Sequence, residues 1–554
     1  MIEFFVRRFQ VRRDGSRDEA GVAMIIAIMV VMLMTMIPLV VVNQAMQQLP
    51  LARNDQDHEA ALAAAEAGVD DYLGRLALNG NYWTYSATNP PTPANAAFSG
   101  WVPVPGNPAT SNQECFRYRP NSQQTAATGV VYLTSSGKRL TTPTGTCANA
   151  SSPGVVRTVS LGVRRQGFLD YLWLTDYEIN DPALSGPQNP AACLFRQYEY
   201  NTVTRAGYGP SDLSDCQAVT WSNLSVLNGP VHSNDGLYVC GTPTFNGRVD
   251  TYYNSTATPG TGNTPKFGGP GKVYNTCGVP LAPHFDPGDP SSGSFLQFPA
   301  ANTSIKTQAD GAAGGTGCLY TGPTTITVLS TGKMNVTSLK TRSTNSGCAP
   351  GTNLRLPLNG VIYVQNVPSS SSDPNYSSCS GSSCIGDVSI SGVLNGQLTV
   401  AAADDIYITG NLTYNQYPGG DDVLGLVAEN DVAIVHARGA DVTDDITVDA
   451  AILSLYHSFY VQNWDTGGNT ACSGAHPCAA SGAHSINLNG VIAQKFRGPV
   501  GTFSSGSGAL STGYNKNYSY DSRLKYMSPP YFLNPTQSAW IRNSYAEIPP
   551  KAVP

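Results

Sequence analysis

Residues 21–42 read GVAMIIAIMVVMLMTMIPLVVV, 22 positions without a charge. One helix of that length reaches across a bilayer. Upstream lies a short leader carrying Arg7, Arg8, Arg12, Arg13 and Arg17 and closing on Asp18-Glu19-Ala20-Gly21. Downstream the helical pattern runs on through residues 52–78, ARNDQDHEAALAAAEAGVDDYLGRLAL, and meets no turn signal before Asn79-Gly80-Asn81. Leu62, Ala65, Val69, Tyr72, Leu73 and Leu76 recur there at steps of three and four, an apolar stripe beside Asp55, Asp57, Glu59, Asp70 and Asp71. Such a stripe needs a cover, and the chain's own globular part is the ordinary one. The helical segment is expected over residues 22–80, and from Val22 to Leu78 it would be about 85 Å long at 1.5 Å per residue. Pro38 and Pro50 each remove a backbone donor, which predicts a kink or loosening at both.

A secretory signal peptide has a shorter apolar core and a small-residue cleavage site, and Val40-Val41-Val42-Asn43-Gln44 is a poor one. A plain single-pass anchor fits the hydropathy equally well. The five leader arginines place the leader, residues 1–21, on the cytoplasmic side and everything after the span outside. All twelve cysteines lie on that exported side: Cys115, Cys147, Cys193, Cys216, Cys240, Cys277, Cys318, Cys348, Cys379, Cys384, Cys472 and Cys478. An even number in an oxidising compartment predicts disulfides, at least four. Pairing is open; sequential neighbours are the simplest scheme, with Cys379–Cys384 and Cys472–Cys478 the shortest loops.

Charged residues make up only 13% of the chain, while Gly (56) and Pro (39) are abundant. That profile suits an exported β-rich protein with long loops. Net charge is −6 and no basic stripe exists, which argues against a nucleic-acid partner. Residues 81–167 alternate with period two around Ser-Gly turns. An antiparallel hairpin is expected at 129–140, GVVYLTSSGKRL, and a strand at 156–163. Residues 168–535 hold short β segments cut by Gly, Asn and Asp. One tripeptide recurs: Leu227-Asn-Gly229, Leu358-Asn-Gly360, Leu394-Asn-Gly396 and Leu488-Asn-Gly490. Short strands with Asn-Gly or Asp corners predict a parallel β-helix-like solenoid; an antiparallel sandwich is the alternative, since Asn-Gly also signals hairpins. Residues 536–554 read as a C-terminal tail. The fold class is therefore mainly β with one long N-terminal α-helix.

The basic leader, the Gly at the membrane edge, the uncharged span, its amphipathic extension and the stretch Ala63-Ala64-Ala65-Glu66-Ala67 together resemble a type IV prepilin, most closely the PilX-type minor pilins. The opening Phe168-Leu-Asp-Tyr…Thr-Asp-Tyr-Glu178, the segment Gly229-Pro-Val-His-Ser-Asn-Asp-Gly236, residues 423–428 and the ending Asp521-Ser-Arg-Leu…Ser-Pro-Pro-Tyr-Phe532 look like the heads of large proteins of that type. The resemblance implies a pilin-like helix with a small sheet behind it. It also implies cleavage between Gly21 and Val22 by a prepilin peptidase. The other implied partners are pilin subunits, the pilus assembly machinery and the membrane. The protein would sit as a single-pass inner (cytoplasmic) membrane protein with its head outside, at a pilus tip or the cell surface. Major pilins of this kind carry a Glu at the fifth mature position. Here that position is Ile26, which resembles subunits placed at a tip.

Chemistry is sparse in this sequence. Asp404-Asp405, Asp421-Asp422 and Asp444-Asp445 are paired carboxylates of a kind that β-helix polysaccharide hydrolases and lyases use. Aspartates also suit solenoid corners, where they bond nearby backbone amides, and this is the stronger reading. His476 lies inside the Cys472–Cys478 loop, where a disulfide outweighs a metal. His232 stands near Asp235, and a structural histidine is the ordinary case. No Gly-x-Ser-x-Gly elbow or phosphate loop occurs. No catalytic residue, metal ligand or cofactor site is nominated. The expectation is a non-enzymatic minor pilin or pilin-like tip protein. The competing class is a membrane-anchored polysaccharide-binding or polysaccharide-degrading protein.

Overall fold

The computed structural model describes residues 19–79, 81–106, 114–121, 130–142, 144–187, 190–194, 219–223, 225–252, 273–275, 283–342, 346–474, 476, 483–504 and 510–549. The leader up to residue 18, the Gly/Pro-rich stretch 256–272 and Cys216, Cys277 and Cys478 lie outside them. The protein is mainly β with an N-terminal helix and large sheets. It divides into two units, residues 1–165 with 540–554, and residues 166–539.

In the first unit the helix α1, Glu19–Leu78, continues through Pro38 and Pro50. Its described apolar side chains from Val22 to Leu49 are exposed. Among the described residues no helix is long and apolar enough to cross a membrane. The unbroken run of described side chains there covers only 22–38. Further along, Ala65, Val69, Tyr72 and Leu76 are buried and pack with Phe116, Tyr118, Leu133, Val159 and Leu161. The stripe is thus covered by the unit's own sheet.

That sheet has the order β1 (Val102–Pro103), β2 (Glu114–Pro120), β3 (Val131–Leu140), β4 (Gly154–Arg165), then the C-terminal strand Trp540–Ile548, all antiparallel. Two expectations are corrected here. The hairpin expected at 129–140 is one straight strand from Val131. Gly137 does not turn; it is a point where the backbone of α1 lies close against the sheet. A Cβ there would lie 2.0 Å from the Ala61 carbonyl oxygen and 2.2 Å from the Ala65 nitrogen. The second correction concerns the expected tail. Residues 540–548 form an edge strand fastened to α1, with Trp540 Nε1 donating to the Leu76 carbonyl at 3.2 Å and the Tyr545 hydroxyl to Glu66 at 3.0 Å.

The second unit mixes parallel and antiparallel pairing. A long ladder of parallel strands runs in the spatial order Cys318–Thr321, Val361–Gln365, Gln397–Ala402, Val423–Ala428, Ile446–Ser454, Ser485–Arg497, Trp173–Asn180, Val231–Ser233, Val249–Thr251 and Ser291–Ser292. A second parallel ladder joins Thr324–Leu329, Val388–Leu394, Ile406–Tyr414, Val432–Ile434 and Phe459–Val461. A third joins the first half of Ser485–Arg497 to Asn515–Tyr520, Val226–Asn228, Thr244–Asn246 and His284–Asp286. Antiparallel pairings interrupt this order at Thr324–Leu329, Lys333–Thr337 and Gly351–Arg355.

The chain enters the long ladder in its middle, at β5 (Trp173–Asn180), and winds outward to Ser291–Ser292. It then crosses to the far end at Cys318 and winds back until Ser485–Arg497 abuts β5. First and last residues of the unit therefore meet, and the Gln166 amide donates to the Ala539 carbonyl at 2.8 Å. One row along the ladder is apolar throughout: Cys318, Ile362, Val400, Leu426, Ile452, Ile492, Trp173, Val231 and Val249. The opposite face is covered by Phe168, Leu296, Phe298, Ile305, Leu524 and Phe532. Asn489-Gly490 makes no hairpin. It lies within one strand that serves two ladders, where a Cβ on Gly490 would sit 1.9 Å from the Ala450 carbonyl oxygen.

Described disulfides join Cys115 to Cys147, Cys318 to Cys348 and Cys379 to Cys384. Cys193, Cys240 and Cys472 are disulfide-bonded as well.

Candidate functional site

The aspartates of the second unit sit where the chain turns from one ladder into the next. Three of them form a chain of their own. The Asp387 carboxylate accepts the Asp405 amide at 3.2 Å, Asp405 accepts the Asp431 amide at 3.0 Å, and Asp431 accepts the Ser458 amide at 2.8 Å. Each carboxylate thus ties its corner to the next, satisfying a backbone donor that the turn leaves unpaired. Asp422 does the same for the amides of Gly396 (2.6 Å) and Gln416 (2.8 Å), and Asp445 for that of Ser485 (2.8 Å). One member of each pair noticed in the sequence, Asp405, Asp422 or Asp445, is therefore engaged with backbone, while Asp404 accepts from the Asn430 side chain and Asp444 pairs with His476.

Burial raises the pKa of two of these acids. Burial, with Asp405 and Asp404 nearby, lifts the Asp387 carboxyl to about 6. Burial lifts Asp431 to about 7, helped by Asp181. At the end of the series Asp181 takes over. Its carboxylate accepts the Ala183 amide at 2.8 Å and the Ser458 hydroxyl at 3.0 Å, and faces His457 Nδ1 at 3.0 and 3.2 Å. The hydrogen bond to Asp181 raises the His457 pKa against the effect of burial. Asp181, Asp431 and His457 place one donor atom each within 4.8 Å of one another, as do Asp387, Asp404 and Asp405. The sequence nominated none of these as a set, because the members of the first come from three distant segments. The alternation of Asp with strand starts was the only available signal.

The second polar cluster is made by the two stretches 168–178 and 229–236, which adjacent strands bring together. His232, Asn234 and Asp235 are fully buried. His232 pairs through Nδ1 with Asp250 and through Nε2 with Asn234 at 3.2 Å, and not with Asp235. Asp235 instead accepts the amides of Glu178 (3.1 Å) and Gly236 (2.7 Å). Asn234 bridges to Asp176 at 2.9 Å, and Lys495 closes on Asp176 at 2.5 Å. Glu178 and Arg497 form an ion pair at 3.0 Å with neither side chain exposed, and the guanidinium stacks 3.7 Å from the Trp221 ring centroid. Burial pulls the Arg497 pKa down to about 10, so it stays charged at neutral pH. Lys495 apart, these side chains are buried away from solvent. These motifs hold strands of the long ladder in register. His476 is exposed and pairs with Asp444 at 2.9 Å.

Residues 20–70 match the family model PilX N-terminal. That match lies within the N-terminal helix, Glu19–Leu78. Among solved structures, the competence-associated pilin ComZ from Thermus thermophilus is similar at 14% identity, over 89% of this chain and 98% of that one. Its TM-score of 0.22 is too low to bear on the fold. No curated protein matches the chain.

Proposed function

We propose that this chain is a non-enzymatic, pilin-like protein of a type IV pilus or related filament. The observation that carries the reading is the match of residues 20–70 to the PilX N-terminal family, on a helix whose lower half is covered by an antiparallel sheet. Under this proposal the leader is cut after Gly21 and residues 22–42 hold the protein in the membrane, then among neighbouring pilin helices. The exposed side chains from Val22 onward support it, because water is a poor surrounding for that many apolar groups. The parallel ladders support reading the large unit as a β-helix-like solenoid, displayed outward for assembly initiation or surface contact. Engagement of Asp405, Asp422 and Asp445 with backbone amides weighs against polysaccharide cleavage, since a catalytic acid pair must converge on substrate.

Mass spectrometry of protein extracted from membranes tests the proposal. A mature chain beginning at Val22 is expected, and one still carrying Met1 overturns it. Ile26→Lys is expected to abolish incorporation into filaments, since it places a charge inside the apolar span, where a lysine costs up to about 2.5–3.5 kcal/mol on insertion scales at the helix centre.

A further inference from the structure

We propose that Asp181, Asp431 and His457 form a binding site for one divalent transition-metal cation of the Zn²⁺ class. The donor set is an imidazole nitrogen and two carboxylates, with the donor atoms already gathered within 4.8 Å of one another. Both acids are held in place by the fold. Asp181 Oδ1 accepts the Ala183 amide and Oδ2 accepts the Ser458 hydroxyl, so each oxygen keeps a lone pair toward His457. Asp431 Oδ1 is fixed by the Ser458 amide. Its Oδ2 has no hydrogen bond among the described residues, although the residue is only 9% exposed. The main chain of His457 is anchored too, its carbonyl accepting the amides of Lys495 at 3.0 Å and Phe496 at 3.2 Å.

The electrostatics admit a cation. Asp181 is fully buried and Asp431 nearly so, yet no Lys or Arg side chain pairs with either among the described residues. Two carboxylates this close repel each other in a dry site unless a proton or a positive charge lies between them; the His457 ring that faces Asp181 fills that role without a metal, and a bound cation would take it over. The His457 side chain, 30% exposed, leaves one side open to solvent, which gives the cation a route in. The class follows from the ligands. Ca²⁺ prefers six to eight oxygens, whereas three protein ligands including an imidazole, with one position left for water, suit Zn²⁺. A bound ion would pin the end of β5 to two later corners, joining the outgoing and returning halves of the long ladder.

The experiment is equilibrium dialysis of the full chain in detergent against ZnCl₂, with CaCl₂ and MgCl₂ in parallel. The thermal midpoint of the large unit is followed with and without Zn²⁺. One equivalent of Zn²⁺ is expected, with a rise in midpoint. His457→Gln and Asp431→Asn should each weaken binding at least tenfold and remove the rise. His476→Gln, in the exposed pair with Asp444, should change neither. Equal Zn²⁺ binding by wild type and both ligand variants overturns the proposal, as does preference for Ca²⁺ or no binding at all. X-ray absorption at the zinc edge of the wild type gives a reading independent of variant folding. A nitrogen or oxygen shell at about 2.0–2.2 Å with an imidazole signature is expected. Sulfur ligation, or a spectrum of hydrated ion alone, overturns it.

Discussion

The two units solve the same problem, covering an apolar surface, in opposite ways. The small unit brings two different elements together, and the closest contact is made where side chains are missing. Gly137 lets the backbone of α1 lie against β3, and Ala61, Ala64 and Ala65 on the helix side are small and buried. The large unit repeats one element, and like lies on like: Val400, Leu426, Ile452 and Ile492 succeed one another along a single row. A helix-on-sheet contact fails when something is added. A stack fails when something is removed.

The sharpest way to break the comparison is to add. In Gly137→Val the new Cβ meets backbone atoms of α1 at 2.0 and 2.2 Å, and no rotamer relieves a clash with backbone. The expected loss lies in the exceptional range of above about 4 kcal/mol. Hydrogen exchange should show the small unit unfolded and the large unit still protected. Joint loss of protection would mean the two are one cooperative system.

Removal is the complementary test. Ile452→Ala empties a position that is fully buried in the apolar row, with Leu426 on one side and Ile492 on the other. A cavity of that kind costs about 2–5 kcal/mol. Denaturant unfolding should show the loss in the large unit alone. A cost under about 1 kcal/mol would indicate a stack that collapses around the gap.

How much of this was legible follows from the same contrast. The helix, its stripe and the Ala-rich stretch are local patterns, so Val69, Tyr72 and Leu76 could be assigned to a buried face before any fold was known. Gly137 was misread, because a Ser-Gly pair signals a turn as readily as a place where another backbone passes. In the large unit the short strands and Asp corners were readable one by one. Their neighbours were not. Ser485–Arg497 pairs with Trp173–Asn180 because the chain enters its own ladder in the middle, and no repeat spacing records that order. The C-terminal strand was lost for a related reason. Its partner, β4, lies on the far side of the whole inserted unit. The cluster of Asp181, Asp431 and His457 is invisible on the same grounds, since only the ladder brings it together.

Disulfides test the comparison within the large unit. Cys318–Cys348 spans 30 residues and ties the ladder's first strand to a later segment, whereas Cys379–Cys384 spans 5. A longer closed loop restricts the unfolded chain more. The loop-entropy relation makes removal of the longer bridge, as Cys318→Ala with Cys348→Ala, costlier by about 1.6 kcal/mol. Chemical denaturation of the two double variants decides it. Equal losses would show that strain or residual structure, not loop length, governs these bridges.

The smallest expected effect concerns charge at the corners. Asp387 has its carboxyl raised to about 6 in the folded protein, against an ordinary 3.8, because burial and the neighbouring Asp405 and Asp404 penalise its ionised form. The folded state therefore holds a proton over a pH range in which the unfolded chain has released it. Stability from this group is fully present below the unfolded value and is lost as pH rises through about 6. The thermal midpoint of the large unit should fall between pH 4.5 and pH 7. Asp387 is only half buried, so solvent screening keeps the change modest. Asp387→Asn sharpens the test, because the amide oxygen can still accept the Asp405 amide while the titration is gone. The variant should fold with the same ladder and show a shallower decline over that range. Asp431, Asp404 and Glu429, all raised by burial, leave slope behind. An unchanged slope in Asp387→Asn would mean that the Asp387 carboxylate acts on stability only as a hydrogen-bond acceptor.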